Sequence, residues 1–188
     1  MKAAPRLRDA DDLELVSRAV AQVDTQAYGE LVRRHQSRVR SFLRRLTRDP
    51  DLADDLAQDC FVHAWDRLST FSGKGSFPGW LLRIAWTTFL QAKRSTKRYG
   101  EVLESVRDTP AAPAVSAAPL EEAGDLDKLL AVLDEEERAV MVMSYAFGMS
   151  HREIGEATGM PVGTVKSLIF RGKDKIRQRF GIERHQYG

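Results

Sequence analysis

Helical periodicity constrains the fold of this chain more than any other feature of its sequence. Between residues 28 and 46, apolar side chains recur at helical spacing and form one continuous stripe. The stripe consists of Tyr28, Leu31, Val32, Val39, Phe42, Leu43 and Leu46. No stretch alternates as a half-buried strand does, and no Asn-Gly or Asp-Gly hairpin signal is present. The pattern therefore predicts an all-α protein.

Further helices are predicted on both sides of this stripe. An earlier helix around Leu13, Val16 and Val20 is expected to pack on it. After the Asp49-Pro50 break, a helix near 51–68 follows, and a loop rich in glycine and serine at 72–76 leads to a helix from 77 to about 98. The core line of the 51–68 helix is Leu52, Leu56, Cys60, Ala64 and Leu68. The core line of the next helix is Phe77, Leu81, Ile84 and Thr88.

The composition changes near residue 100, which divides the chain. Segment 100–124 is rich in proline and alanine and lacks helical periodicity, so it is expected to be a flexible linker. The chain of 188 residues has room for two small domains, each with its own helical core. We therefore expect an N-terminal domain at 1–99 and a C-terminal domain at 125–188, both helical.

The C-terminal domain carries the pattern of a helix-turn-helix. Ser150 and Glu153 form a capping box that opens a short helix. Gly159 then breaks the chain, and Pro161 suits the first turn of a longer basic helix. A short helix, a glycine turn and a basic helix in this order predict a DNA-binding unit.

The second helix of this unit has an unusual outward face. At 100° per residue, Phe170 and Arg171 point away from the buried stripe that begins at Val165. Arginine can bond a guanine and an aromatic ring can touch a thymine methyl, so this face suits a DNA groove. The alternative is a solvated basic helix whose Phe170 packs on a neighbour. The candidate DNA-binding residues here are Lys166, Ser167, Phe170, Arg171 and Lys173.

Charge is strongly segregated in the N-terminal domain, although the net charge of the chain is only +2. The helix at 51–66 carries aspartates and no lysine or arginine, whereas 67–100 carries basic residues and no acid. Basic residues among aromatics suit single-stranded nucleic acid, because bases stack on rings and cations follow phosphates. The alternative is that the aromatics are core, as Phe77 is expected to be. The candidate DNA-binding residues of this stretch are Phe71, Trp80, Arg83, Trp86, Thr87, Lys93, Arg94, Lys97 and Arg98.

Four segments together resemble the extracytoplasmic-function (ECF) sigma factors, which belong to the sigma-70 family of bacterial RNA polymerase. The matching segments are 27–36, 55–65, 71–85 and 149–180, in the order found in that family and with a Pro/Ala linker before the last. The resemblance covers nearly the whole chain. It implies a non-enzymatic initiation factor that directs core RNA polymerase to promoters with −35 and −10 elements and assists strand opening.

The resemblance also implies a role for each charged surface. The acidic helix would dock on the clamp helices of the largest polymerase subunit through Asp54, Asp55, Gln58 and Asp59. The stretch from Phe71 would open the −10 element, and the helix after Pro161 would contact the −35 element. Further implied partners are the flap of the second polymerase subunit and a dedicated anti-sigma factor. Thr87 stands where many members have asparagine.

Other classes of protein explain less of the sequence. A helix-turn-helix regulator that acts without replacing a sigma factor accounts for 150–180 only, and a pure interaction protein would not need Phe170 and Arg171. Cys60 and His63 could form half of a metal or thiol–imidazole site, but one cysteine with scattered histidines supplies no second half, so no enzyme, cofactor or metal is expected. The lone thiol, the absence of an apolar leader and the absence of a long apolar run predict a cytoplasmic protein without membrane insertion.

Overall fold

The structure, a computed structural model, describes residues 7–106 and 124–181, with side chains up to residue 98 in the first range. It is helical in both ranges, and no strand occurs among these residues. The first range contains α1 (Asp12–Ala21), α2 (Thr25–Thr47), a 3₁₀ turn (Leu68–Thr70) after α3 (Pro50–Asp66), and α4 (Phe77–Val106). The second contains α5 (Asp125–Ala131), α6 (Glu135–Met141), a π-helical turn (Val142–Ala146), α7 (His151–Thr158) and α8 (Val162–Phe180). The prediction of an all-α protein with two helical domains is confirmed.

Aspartate side chains fix where the first three helices begin. Asp11 accepts a hydrogen bond from the backbone N–H of Glu14, and Asp24 accepts from two N–H groups in the first turn of α2. Asp49 does the same for α3, with Pro50 as the first helical residue. Each carboxylate satisfies N–H groups that have no partner inside the helix. The short loops between these helices follow from these caps.

The first helix packs on α2, but with a different face from the one expected. Leu15, Val16 and Ala19 are buried, whereas Leu13 is 52% exposed and Val20 is 41% exposed. The periodicity of α1 also fits Leu15 and Ala19, and the packing against α2 selects that neighbouring face. Leu52, placed on the core line of α3 by its spacing, is likewise 42% exposed because it lies in the first turn.

The last helix of the N-terminal domain is longer than expected. α4 continues to Val106, so its final residues lie inside the segment 100–124 that was expected to be linker. The sequence from 101 to 106 contains no proline or glycine that would end a helix there. The remainder of the expected linker up to residue 123 lies outside the described residues.

The two domains are packed against each other. α4 contacts α7, and α2 contacts α6, in addition to the contacts that each helix makes within its own domain. Buried apolar residues of both domains form one continuous cluster. Within the C-terminal domain, α6 and α7 both pack on α8.

Candidate nucleic-acid interface

The helix-turn-helix is formed as the sequence predicts. Ser150 accepts from the N–H of Glu153, whose carboxylate accepts in return from the N–H of Ser150 at 2.8 Å. Gly159 ends α7 with φ +75°, a conformation that favours glycine. A Cβ on Gly155 would lie 2.8 Å from the carbonyl oxygen of Met160, so only glycine lets the turn approach α7 this closely. The turn therefore fixes the angle at which α8 leaves α7.

α8 has the two faces that were predicted from its periodicity. Val165, Leu168 and Ile169 are buried, and Gly172 is buried against Met141 and Leu133. The outward residues are exposed, and Phe170 is 60% exposed although it is a large apolar side chain. The exposed candidates are Lys166, Ser167, Phe170 and Arg171. This arrangement places an aromatic ring and a guanidinium side by side on an open helix surface.

Two other lysines of α8 have partners within the domain. Lys175 donates to Glu137 at 2.7 Å, which raises the pKa of its ammonium group. The partner, Glu137, is fully buried, and it also accepts from the backbone N–H of Asp134. Lys173 lies 5.1 Å from the ring centroid of Tyr145. Lys173, a predicted DNA contact, is thus only partly exposed, at the edge of the outward face.

An aromatic cluster lies at the start of α4. The ring centroid of Phe71 is 5.5 Å from that of Phe77 and 5.7 Å from that of Trp80. Phe77 is buried, as expected for a core residue, whereas Phe71 and Trp80 are half-buried. Phe77 also packs on His35 of α2, 5.3 Å away. The exposed loop at 72–76 therefore begins and ends next to one aromatic cluster, two rings of which reach the surface.

One turn further along α4, Arg83 is exposed and Thr87 is half-buried. The hydroxyl of Thr87 donates to the backbone carbonyl of Ile84 at 2.8 Å, and that of Arg83 lies 3.1 Å away. Because the hydroxyl proton is engaged within the helix, Thr87 offers a ligand an acceptor oxygen and a methyl group. An asparagine at this position would instead offer an amide.

Trp86 does not lie on the surface. Its side chain is 2% exposed, and its ring stacks on Phe89 with centroids 5.7 Å apart. In this arrangement nucleic acid cannot reach the ring, and the indole N–H of Trp86 has no hydrogen-bond partner. By contrast, the four basic candidates near the end of the described part of α4 are exposed: Lys93, Arg94, Lys97 and Arg98.

The acidic face of α3 is open over most of its length. Asp55, Gln58 and Asp59 are exposed. Asp54 is half-buried, because Arg40 and Arg44 of α2 approach its carboxylate within 3.3 and 3.6 Å. The arginines of α2 thus neutralise one predicted contact residue and leave the other three to solvent.

Two exposed apolar residues lie on the same face of α3 and were not predicted there. Leu52 is 42% exposed and Val62 is 60% exposed, and at helical spacing both lie in line with Asp55 and Asp59. The signal was present in their spacing from the aspartates. The period of the helix placed Leu52 on the core line and left Val62 without a role.

Cys60 and its surroundings provide no reactive centre. The thiol is buried, donates to the carbonyl oxygen of Leu81 at 3.9 Å, and burial raises its pKa to about 12. Nearby His63 lies 3.3 Å from the hydroxyl of Thr88. Within the described ranges, no group of three His, Cys, Asp or Glu is placed to hold a metal ion. Nor is any helix of those ranges long and apolar enough to cross a membrane.

The fold and these surfaces define a two-domain helical protein with a DNA-binding helix-turn-helix, and comparison with known proteins specifies the class. Residues 31–99 match the family model of sigma-70 region 2, and residues 123–176 match that of sigma-70 region 4. The RNA polymerase sigma factor NccH of Alcaligenes xylosoxydans is 30% identical to this chain, over 87% of this chain and 91% of NccH. The ECF RNA polymerase sigma factor SigE of Mycolicibacterium smegmatis is 33% identical over 83% of this chain, and the match spans 62% of that protein.

A solved structure agrees with these matches. CnrH, in complex with the cytosolic domain of CnrY, superposes with a TM-score of 0.64 at 26% identity, covering 91% of this chain and 97% of CnrH. The chain belongs to the sigma-70 family, as an RNA polymerase sigma factor of the ECF type. It is accordingly a non-enzymatic factor of transcription initiation that works with core RNA polymerase on promoter DNA.

Proposed function

We propose that this sigma factor divides promoter-directed initiation among three surfaces, one on each of three helices. The exposed acidic face of α3 docks on core RNA polymerase, the aromatic and basic surface of α4 holds the melted −10 strand, and the outward face of α8 contacts the −35 element. The observation that carries the proposal is the separation of charge between α3 and the other two helices. The protein would act in the cytoplasm, where it meets the polymerase.

The polymerase surface is assigned to Asp55, Gln58 and Asp59, with Asp54 at its edge. Exposed carboxylates on a rigid helix suit a partner with basic residues, because complementary charge steers association and fixes register. Leu52 and Val62 would add apolar contact at the two ends of this face. The clamp helices of the largest subunit are the proposed partner, and the flap of the second subunit is proposed to contact the C-terminal domain.

The strand-opening surface is assigned to α4 and the loop before it. Phe71 and Trp80 offer rings for stacking, Arg83 offers a cation, and Thr87 offers an acceptor and a methyl group. The exposed basic residues further along the helix would follow the phosphates. They are Lys93, Arg94, Lys97 and Arg98.

The −35 surface is assigned to the outward face of α8. Arg171 can donate two hydrogen bonds to a guanine, and Phe170 beside it can contact a thymine methyl. Lys166, Ser167 and Lys173 lie around them and would contact the backbone or base edges. The helix-turn-helix presents this face away from the rest of the domain.

An anti-sigma factor is a further proposed partner. CnrH, which shares this fold, is bound to the cytosolic domain of CnrY in its structure. An anti-sigma factor of this chain would have to cover surfaces of both domains to stop polymerase binding and promoter binding together.

Binding to core polymerase tests this proposal against a helix-turn-helix regulator that acts without replacing a sigma factor, the alternative that the family matches disfavour. The full chain, tagged and immobilised, should retain purified core enzyme and release it in competition with another sigma factor. A regulator would bind duplex DNA unaided and leave core enzyme in the flow-through. That second result would refute the proposal.

A further inference from the structure

The loop at 72–76 lies against α1, a helix that carries none of the proposed DNA contacts. Leu13, in the first turn of α1, is 52% exposed although it is apolar. A Cβ on Gly73 would lie 3.1 Å from Cδ1 of Leu13 and 3.9 Å from its Cδ2. Gly73 has φ +74°, so the backbone of the loop turns sharply where it meets this side chain. Leu13 therefore contacts the middle of the loop directly.

The two ends of the loop are connected to α1 as well. Before the loop, the 3₁₀ turn Leu68–Thr70 contacts α1. After the loop, the ring of Phe77 lies 5.3 Å from that of His35. Nε2 of His35 lies 2.8 Å from the carboxylate of Asp12, the first residue of α1. Because an ionised carboxylate only accepts hydrogen bonds, His35 donates to Asp12, and this bond orients the ring on which Phe77 packs.

The position of the loop determines the position of the rings that are proposed to stack on bases. The centroid of Phe77 is 5.5 Å from that of Phe71 and 5.5 Å from that of Trp80. A site that selects one ligand must hold its groups to within about 0.5 Å, and it does so through the packing of residues behind them. Support from α1 would supply that packing for the loop and the three rings.

Val20 shows which part of α1 is involved. It lies seven residues after Leu13 on the same side of the helix, and it is 41% exposed. At a rise of about 1.5 Å per residue, Val20 is about 10 Å further along the axis of α1. Val20 is thus an apolar residue of similar exposure on the same helix, set well away from the contact with Gly73.

We infer that α1 positions the loop at 72–76 for base selection, with Leu13 as the main positioning residue. Leu13 acts through Gly73 and sets the distance between the loop and α1. Asp12 acts through His35 and Phe77. The role in base selection rests on the proposed function of α4, whereas the support of the loop by α1 does not.

Trypsin cleavage after Lys74 tests the support of the loop by itself. Lys74 is exposed in the middle of the loop, and cleavage there is faster when the loop leaves its packed position more often. The full chain is digested briefly, and fragments 1–74 and 75–188 are identified by mass. Leu13→Ala should raise the cleavage rate several-fold, whereas the matched change Val20→Ala should leave it as in wild type. Circular dichroism checks that both variants keep their helices. Equal rates in all three proteins would overturn the support by α1.

The contact itself is tested with the two glycines of the loop. Gly73 and Gly75 have φ +74° and +81°, so alanine is strained at both positions. A Cβ on Gly75 meets nothing within 4 Å among the described residues, whereas one on Gly73 meets Leu13. In promoter-directed transcription, Leu13→Ala combined with Gly73→Ala should lose less activity than the two single changes predict together. Combined with Gly75→Ala, its loss should be additive. Additive losses in both combinations would overturn the contact.

Base selection is measured with the holoenzyme, on a promoter that the wild-type protein uses and whose −10 and −35 positions are randomised. Leu13→Ala should lower the preference for the selected −10 bases about threefold or more and leave the −35 preference unchanged. Val20→Ala should match wild type at both elements. Parallel losses at −10 and −35, or no change at either, would overturn the positioning role. A wild-type holoenzyme without any −10 preference would refute the proposed function of α4, and base selection with it, while the trypsin result would stand.

Discussion

Gly155 lies where α7 and the turn after it approach each other most closely. Replacing this single residue tests whether the close approach requires glycine. In Gly155→Ala the new methyl would meet the Met160 carbonyl at 2.8 Å, and the backbone of the turn would have to shift. We expect a loss of about 1–3 kcal/mol in the free energy of unfolding of the C-terminal domain, as for other overpacked sites. Urea titration followed by circular dichroism measures it.

Gly163 provides the matched control for this change. It is a helical glycine in the first turn of α8, and a Cβ there meets nothing within 4 Å. Gly163→Ala should be neutral or should stabilise the protein by up to about 1 kcal/mol, because alanine favours helix. Equal effects at both positions would contradict the steric explanation.

Glu30 makes the stability of the N-terminal domain depend on acid pH. Hydrogen bonds from Arg33 at 2.6 Å and Arg34 at 2.8 Å lower the pKa of its carboxyl to about 2. The unfolded value is about 4.3, so this stabilisation is complete above that pH and is lost as the pH falls through 2. Glu30→Gln should therefore be destabilised relative to wild type at pH 7, with the difference vanishing near pH 2. Thermal unfolding across this range measures it.

A carboxylate on the surface of α7 serves as the control for Glu30. Glu156 pairs with Arg152 along the helix, and both side chains are largely exposed. Such pairs contribute little, so Glu156→Gln should change stability by less than about 0.5 kcal/mol at any pH. A Glu30→Gln profile parallel to that of wild type would show that Glu30 does not carry the acid dependence.

At the scale of the element, α3 is the helix whose surface can be changed without disturbing its core. Asp55 and Asp59 are exposed, whereas Asp54 also holds α2 through Arg40 and Arg44. The double substitution Asp55→Lys and Asp59→Lys should weaken binding to core polymerase at least about tenfold, since like charges across an interface repel. Competition binding against a labelled sigma factor measures this.

The same charge change on α5 is the control. Asp125 and Asp127 are exposed in the other domain. Asp125→Lys with Asp127→Lys alters the net charge of the chain equally, and it should leave core binding near the wild-type level. If both double variants lost affinity alike, overall charge rather than the α3 surface would be responsible.

Most of the secondary structure was predictable because its causes are local. The capping boxes at Ser150 and Asp134 lie within four residues of sequence, and both are present. The two faces of α8 follow from a period that any helix must have. α1 shows the limit of such reasoning, because two neighbouring faces fitted the period and only packing against α2 selected one. The open face of α3 was predicted from its aspartates, whereas the spacing of Leu52 wrongly placed it on the core line and nothing in the pattern indicated that Val62 is exposed.

At the scale of the whole molecule, the contacts between domains could not be predicted from the sequence. Arg138 follows three glutamates and resembles a solvated helix charge, yet it donates to a carbonyl 92 residues earlier in the chain. Trp86 was expected to meet DNA because it lies among basic residues, but it is buried, on a side of α4 where Gly79 lies near Met149 and Lys93 pairs with Glu135. The periodicity of a helix predicts which of its faces is buried. It does not predict which neighbouring element covers that face.

We propose that this chain directs core RNA polymerase to promoters through both domains. Transcription in vitro from a pool of genomic fragments, with core enzyme alone and with core enzyme plus this protein, tests it most directly. We expect start sites that appear only with the protein and share two sequence elements upstream, at −10 and −35. We also expect Arg171→Ala to lower initiation most at promoters that depend on the −35 element, by about 1–3 kcal/mol. Unchanged start sites on adding the protein, together with binding to duplex fragments in the absence of core enzyme, would contradict it.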